Sequence, residues 1–104
     1  MMDLDALLRA SVGRGASDVH LKPDAPPILR VHGRLEPQAD WGVVTSEFMD
    51  GAARRMLPER LYAQLREGRE IDAGYDVSGF GRFRVNMFLS LGAIRTVIDR
   101  KSVV

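Results

Sequence analysis

The chain has 104 residues and a mass of 11.6 kDa, enough for one small domain and too few to hold a complete nucleotide-driven motor. Its 45% hydrophobic and 28% charged residues are those of a globular domain with a packed core, and the absence of cysteine excludes disulfides, thiolate nucleophiles and cysteine-ligated zinc. The net charge of +1 is unevenly divided: residues 1–78 carry ten basic and thirteen acidic side chains, a net −3, and residues 79–104 carry five and one, a net +4.

The chain opens on Met1-Met2-Asp3 without a basic stretch followed by a signal-like core, and its apolar runs fall far short of the ~20 residues a bilayer requires. It reads as cytoplasmic. Leu4, Leu7, Leu8 and Val12 fall on one helical face with Asp3 placed to cap it, which predicts a short amphipathic helix. Residues 18–22 alternate, with Val19 and Leu21 on one side and Asp18, His20 and Lys22 on the other, the pattern of a strand. After the prolines at 23–27, residues 28–35 read as a second strand, with Leu29, Val31 and Leu35 facing the core and Gly33 at a bulge or tight turn.

Residues 36–44 lack periodicity and hold the single tryptophan, Trp41, a packing anchor. Thr45 or Ser46 caps a helix whose apolar stripe is Phe48, Met49, Ala52, Ala53, Met56 and Leu57; Pro58 fits the first turn of a further helix carrying Leu61, Tyr62 and Leu65. Beyond Gly68, Ile71, Ala73, Tyr75 and Val77 alternate with polar residues. Gly79-Phe80-Gly81 makes a turn, and Phe83, Val85, Met87 and Leu89 alternate with Arg82, Arg84 and Asn86. A last strand covers 93–98. This order predicts an α+β domain: a mostly antiparallel five-stranded sheet with helices packed on one side.

No phosphate loop and no dinucleotide fingerprint is present, and no side-chain set is assigned a catalytic role. His20 and His32, read as cross-strand neighbours near Asp18, make a poor metal set; His20 with Asp18 reads as a structural polar contact. Arg82, Arg84 and Arg95 form the chemically interesting group, because clustered guanidinium groups need carboxylates, solvent or an incoming anion. Two readings stand: a solvated face on which Arg82 and Arg84 pair with Asp72 or Asp76, or a site for phosphate. One aromatic, Phe88, beside these cations is too little for a nucleic-acid platform.

Three separated segments, 15–22 (Gly-Ala-Ser-Asp-Val-His-Leu-Lys), 26–33 (Pro-Pro-Ile-Leu-Arg-Val-His-Gly) and 81–86 (Gly-Arg-Phe-Arg-Val-Asn), resemble the amino-terminal domain of the PilT family of type IV pilus retraction (twitching motility) ATPases, in the secretion ATPase superfamily. The resemblance covers residues 2–96. It implies a PAS-like amino-terminal domain over residues 1–98, with 99–104 beginning a linker or forming a divergent or truncated tail and the RecA-like ATPase domain absent. It further implies a regulatory and oligomerisation module of a cytoplasmic hexameric motor, peripheral to the inner membrane through the pilus machine. The implied partners are the RecA-like domain, neighbouring subunits and, indirectly, the inner-membrane platform protein; ATP and Mg serve the full-length protein and no cofactor this fragment alone. Arg82, Arg84 and Arg95 match basic positions at which the family senses or neutralises ATP phosphates, whereas Asp18, His20 and Arg30 match positions that pack or contact a neighbour. The alternatives are a PAS-like ligand or protein-binding module, a structural adaptor, and the corresponding domain of a related type II secretion or pilus assembly ATPase. His32 departs from the acidic residue of relatives, and residues 97–102 from their Ile-Pro linker.

Overall fold

The computed structural model describes residues 2–100. Helix α1 (Leu4–Gly13) is followed by strands β1 (Ala16–Leu21), β2 (Ile28–Val31) and β3 (Arg34–Pro37) and a 3-10 turn at Ala39–Trp41. Helices α2 (Ser46–Met56) and α3 (Glu59–Arg66) come next, then strands β4 (Ile71–Val77), β5 (Gly81–Ser90) and β6 (Ala93–Arg100). The sheet has six strands, not five, in the order β3-β2-β1-β6-β5-β4, and every pairing is antiparallel.

The additional strand comes from dividing the segment 28–35. His32 (φ 51°) and Gly33 (φ 78°) form a two-residue turn with both central residues left-handed, the geometry that matches hairpin twist. A two-residue turn returns the chain antiparallel, with Arg30 opposite Leu35. Leu35 therefore lies on the same face as Arg30, half exposed, and not with Leu29 and Val31. His32 sits at this turn while His20 faces Ile28 near the other end of the hairpin, so the two histidines are not neighbours.

The remaining alternations hold as read. Val19, Leu21, Leu29, Val31, Phe83, Val85, Met87, Ile94 and Ile98 share one sheet face and form a single core with Leu4, Leu7 and Leu8 of α1, Met49, Ala52, Ala53 and Met56 of α2, and Leu65 of α3. The helices thus cover one face and leave the other free. Trp41 packs at the margin of this core, and Thr96, buried on the central strand, donates its hydroxyl to the Asn86 carbonyl at 2.8 Å, so no polar atom is stranded there. β6 continues through Asp99 and Arg100; residues 101–104 of the segment read as linker lie outside the described residues. No helix among the described residues is long and apolar enough to cross a membrane.

Local signals start the helices. Asp3 accepts a hydrogen bond from the Ala6 amide at 3.2 Å, and Thr45 from the Phe48 amide at 3.0 Å, each satisfying one of the free donors at a helix start. Pro58 stands at the cap of α3, one position before the expected first turn. Polar ties then fix the helices. Tyr75 on β4 donates to Asp5 at 2.6 Å, and Arg55 reaches both Tyr75 (2.7 Å) and Asp5 (3.0 Å), joining α1, α2 and the sheet. At the α2–α3 corner, Asp50 accepts from Tyr62, Arg54 (3.0 Å) and Arg66 (2.5 Å). The Tyr62 hydroxyl, followed by Arg54, draws the Asp50 carboxyl down to about 2.

A folded-state pKa below the unfolded value gives stability that is complete above the ordinary carboxylate range and lost as pH falls toward the folded value. Asp50→Asn is expected to flatten the loss of stability between about pH 4 and pH 2, followed by urea denaturation at a series of pH values. Leu91 (φ 54°) precedes Gly92 (φ 79°) in the β5–β6 turn, fully exposed. Leu91→Asn, which tolerates the left-handed conformation better, is expected to stabilise the fold by about 1 kcal/mol, read as a higher urea midpoint with an unchanged slope.

Candidate functional site

The free face of the sheet carries the outward half of each alternation. Because Arg84 is opposite Asp99 on β6 and Gly74 on β4, one row across the sheet reads Leu35, Arg30, Asp18, Asp99, Arg84, Gly74. Arg82, Arg84 and Arg95 all lie on this face. Arg82 and Arg84 are two residues apart on β5, but Arg95 is opposite Phe88, four residues along β6 from the partner of Arg84. At about 3.3 Å per residue this is about 13 Å, so Arg95 does not join the other two.

Each arginine has a different environment. Arg82 donates from Nη1 to both Asp76 oxygens, at 3.0 and 2.9 Å, which is one of the two pairings read from the sequence. Its guanidinium lies flat over Gly74, where a Cβ would fall on Nη2 and Cζ. Asp72 is engaged elsewhere: Asn86 donates to it at 3.0 Å and to Glu70 at 2.7 Å. The acids of β4 are thereby claimed by Arg82 and Asn86, and the residue opposite Arg84 on that strand is a glycine; Asp99 stands opposite it on β6. Arg84 is exposed and has no hydrogen bond or ion pair to a described residue. Arg95 is half-buried, and its Nε is the one fully buried side-chain nitrogen or oxygen among the described residues that lacks a partner.

The early hairpin is a closed polar cluster. A register shift between Ala16 and Asp18 turns Ser17 so that its hydroxyl donates to Asp18 at 2.6 Å. Asp18 also meets His20 Nε2 at 2.6 Å and Arg30 Nε at 3.5 Å. Burial, the largest single effect, pushes the Asp18 carboxyl up; Ser17, His20 and Arg30 together outweigh it and leave it below its ordinary value. His20 with Asp18 is thus an internal contact. No group of three His, Asp or Glu placed to hold a metal occurs among the described residues.

Sequence reasoning sets Phe88 beside the arginines but does not single out Lys22 as a further companion of Arg95. Lys22, Phe88 and Arg95 line a half-open pocket of about 200 Å³ on the free face, with His20, Ile28 and Leu35 among its other walls. Their proximity follows from the β1–β6 and β5–β6 registers, which alternation alone does not set.

No protein-family profile matches the chain. It is 33% identical over 91 residues, 84% of its length, to the type IV pilus retraction ATPase PilT of Pseudomonas aeruginosa. It is 26% identical over 99 residues to the type IV pilus ATPase PilU of the same organism. It spans about a quarter of each relative's length (25% and 26%). Among solved structures, the pilus retraction motor PilT with bound ADP superposes over the whole chain and 30% of its own, with a TM-score of 0.90 and 26% identity. The Legionella pneumophila ATPase DotB matches in fold over 96% of the chain and 28% of its own, with a TM-score of 0.80 at 22% identity.

Gly74 leaves room for the Arg82 guanidinium. Gly74→Ala is expected to displace the Arg82 guanidinium from its seat, visible as a changed Arg82 Nε–H resonance, while stability shifts by less than about 1 kcal/mol, since only an exposed ion pair is disturbed.

Proposed function

The chain is homologous to the amino-terminal part of the PilT and PilU pilus ATPases of the secretion ATPase superfamily, and on that premise we propose that it is the regulatory and oligomerising amino-terminal domain of a pilus motor ATPase. The observation that carries this reading is the likeness to PilT over the entire fold, at a TM-score of 0.90 with 26% identity, in a structure holding ADP. In this reading the domain is PAS-like, works in the cytoplasm within a homo-hexamer and meets the pilus platform protein only through the whole motor. ATP and Mg belong to the full-length protein.

The residues of this chain fit a supporting role toward ATP and not a catalytic one. The sequence has no phosphate loop, so hydrolysis requires the RecA-like domain. What the chain offers is cationic. Arg84 is the guanidinium free to meet phosphate oxygens, and its fork of donors suits them. Arg82, held by Asp76, supports it as a neighbouring positive charge. An arginine aimed at phosphates strengthens its interaction as charge builds on them during phosphoryl transfer. A change in the position of this domain alters that distance, and turnover is thereby coupled to domain movement. Asp18, His20 and Arg30 hold the early hairpin that carries contacts to neighbours.

Two measurements test the proposal. The purified chain is expected to turn over no ATP above the buffer rate, and stoichiometric turnover would overturn it. In a chimaera where this chain replaces the matched segment of Pseudomonas aeruginosa PilT, Arg84→Ala is expected to lower ATP turnover about tenfold, equivalent to roughly 1.4 kcal/mol of transition-state stabilisation. Turnover equal to that of the parent chimaera would remove Arg84 from the mechanism.

A further inference from the structure

The pocket around Arg95 has properties that the phosphate reading of the arginine face does not use. Its Nε–H is buried and unpartnered; leaving such a donor unsatisfied is costly, more so when the group is charged. The register that sets Leu21 opposite Thr96 brings the next residue of the chain, Lys22, alongside Arg95 on the free face. Like charges opposite one another across a strand pair repel, and no carboxylate lines the pocket to relieve them. Asp18, the acid of β1 on this face, is occupied by Ser17, His20 and Arg30. Arg95 and Lys22 thus face the pocket as cations with no carboxylate among its walls, which suits it to an anion.

The walls narrow its class. Phe88 stands directly opposite Arg95, and Ile28 and Leu35 add aliphatic surface, Leu35 at 55% exposure. Such walls disfavour a strongly hydrated dianion and favour a group with a charged end and an apolar stem. A volume of about 200 Å³ suits a stem of a few carbon atoms.

We propose that this pocket binds a carboxylate carried on a short apolar stem, the carboxylate accepting from the Arg95 guanidinium with Lys22 balancing its charge, and the stem resting on Phe88, Ile28 and Leu35. The site is distinct from the Arg84 phosphate contact and does not depend on it. The stem can belong to a free small acid or to a glutamate side chain of another polypeptide.

The test follows Arg95 Nε–H and the Phe88 and Val97 amides by nuclear magnetic resonance in the intact chain. Four probes are titrated: sodium butyrate, inorganic phosphate, butan-1-ol, and the capped tripeptide acetyl-Leu-Glu-Leu-amide with its Gln counterpart. Saturable shifts are expected with butyrate at a Kd of about 1 mM, weakened about tenfold or more by Arg95→Ala. Tighter binding of the Glu peptide than of butyrate, with none by the Gln peptide, assigns the stem to an acidic side chain; the reverse order assigns it to a free acid. Lys22→Ala, at an exposed position, weakens binding several-fold and serves if the Arg95 variant loses its dispersed spectrum. Phosphate moving these signals as strongly as butyrate, butan-1-ol matching butyrate, or no saturable shift with any probe overturns the proposal. None of these outcomes bears on Arg84 and turnover in the chimaera.

Discussion

The fold rests on one seam. Strands β1, β2 and β3 form one meander and β4, β5 and β6 another, and the only hydrogen-bonded connection between them within the sheet is the antiparallel pairing of β1 with β6 from Asp18–Asp99 to Leu21–Thr96. Neither meander encloses a core alone. Joined, they present Val19, Leu21, Ile94 and Ile98 in one continuous surface, on which all three helices close. A slip of one residue in that seam would turn Ile94 and Ile98 to solvent and Arg95 and Asp99 to the core. Hydrophobic burial therefore fixes the register, and the register fixes the chemistry of the free face. Arg95 stands beside Lys22 and Phe88, and Asp99 between Asp18 and Arg84, because of packing on the other side of the sheet.

Within that frame the distribution of acids determines which cations are available. Asp76 takes Arg82, Asp72 and Glu70 take Asn86, and Asp18 takes His20 and Arg30. Arg84 faces Gly74 on one side, which has no side chain to offer, and Asp99 on the other, with no hydrogen bond or ion pair formed to it. Gly74 thus admits the guanidinium of Arg82 and gives Arg84 no partner on β4. Replacing these exposed charges costs little stability, whereas core changes such as Met87→Ala cost about 2–5 kcal/mol. The two faces thus separate folding from recognition.

Much of this was legible in the sequence. β1, β4 and β5 follow from period-2 alternation, and the α2 stripe with its Thr45 cap from helical spacing. The sixth strand was missed because its turn starts on His32, a residue whose left-handed conformation leaves a weaker signal than Asn-Gly, so that Leu35 was placed on the wrong face. The three arginines share one face, but alternation specifies a face and not a position along it. Their separation depends on the β5–β6 register, set by the length of a turn whose residues, Leu91-Gly92, only half announce it. The ties of Asp5, Arg55 and Tyr75 and of Asp50 with Tyr62 join segments far apart in sequence and leave no local pattern at all.

The differences among the three arginines bear on how such a face acquires function. Arg82 is satisfied internally, and its exposed pair with Asp76 contributes little. Arg84 is exposed, opposite Asp99 on β6, so a phosphate that reaches it displaces solvent without a buried group at stake. Arg95 differs from both, because its Nε is withdrawn from water without receiving an acceptor and the fold carries that cost in the unliganded state. A carboxylate that meets this guanidinium gains a charge-assisted bond beside apolar walls that also hold its stem, so a small pocket can discriminate more sharply than an open cluster of exposed cations.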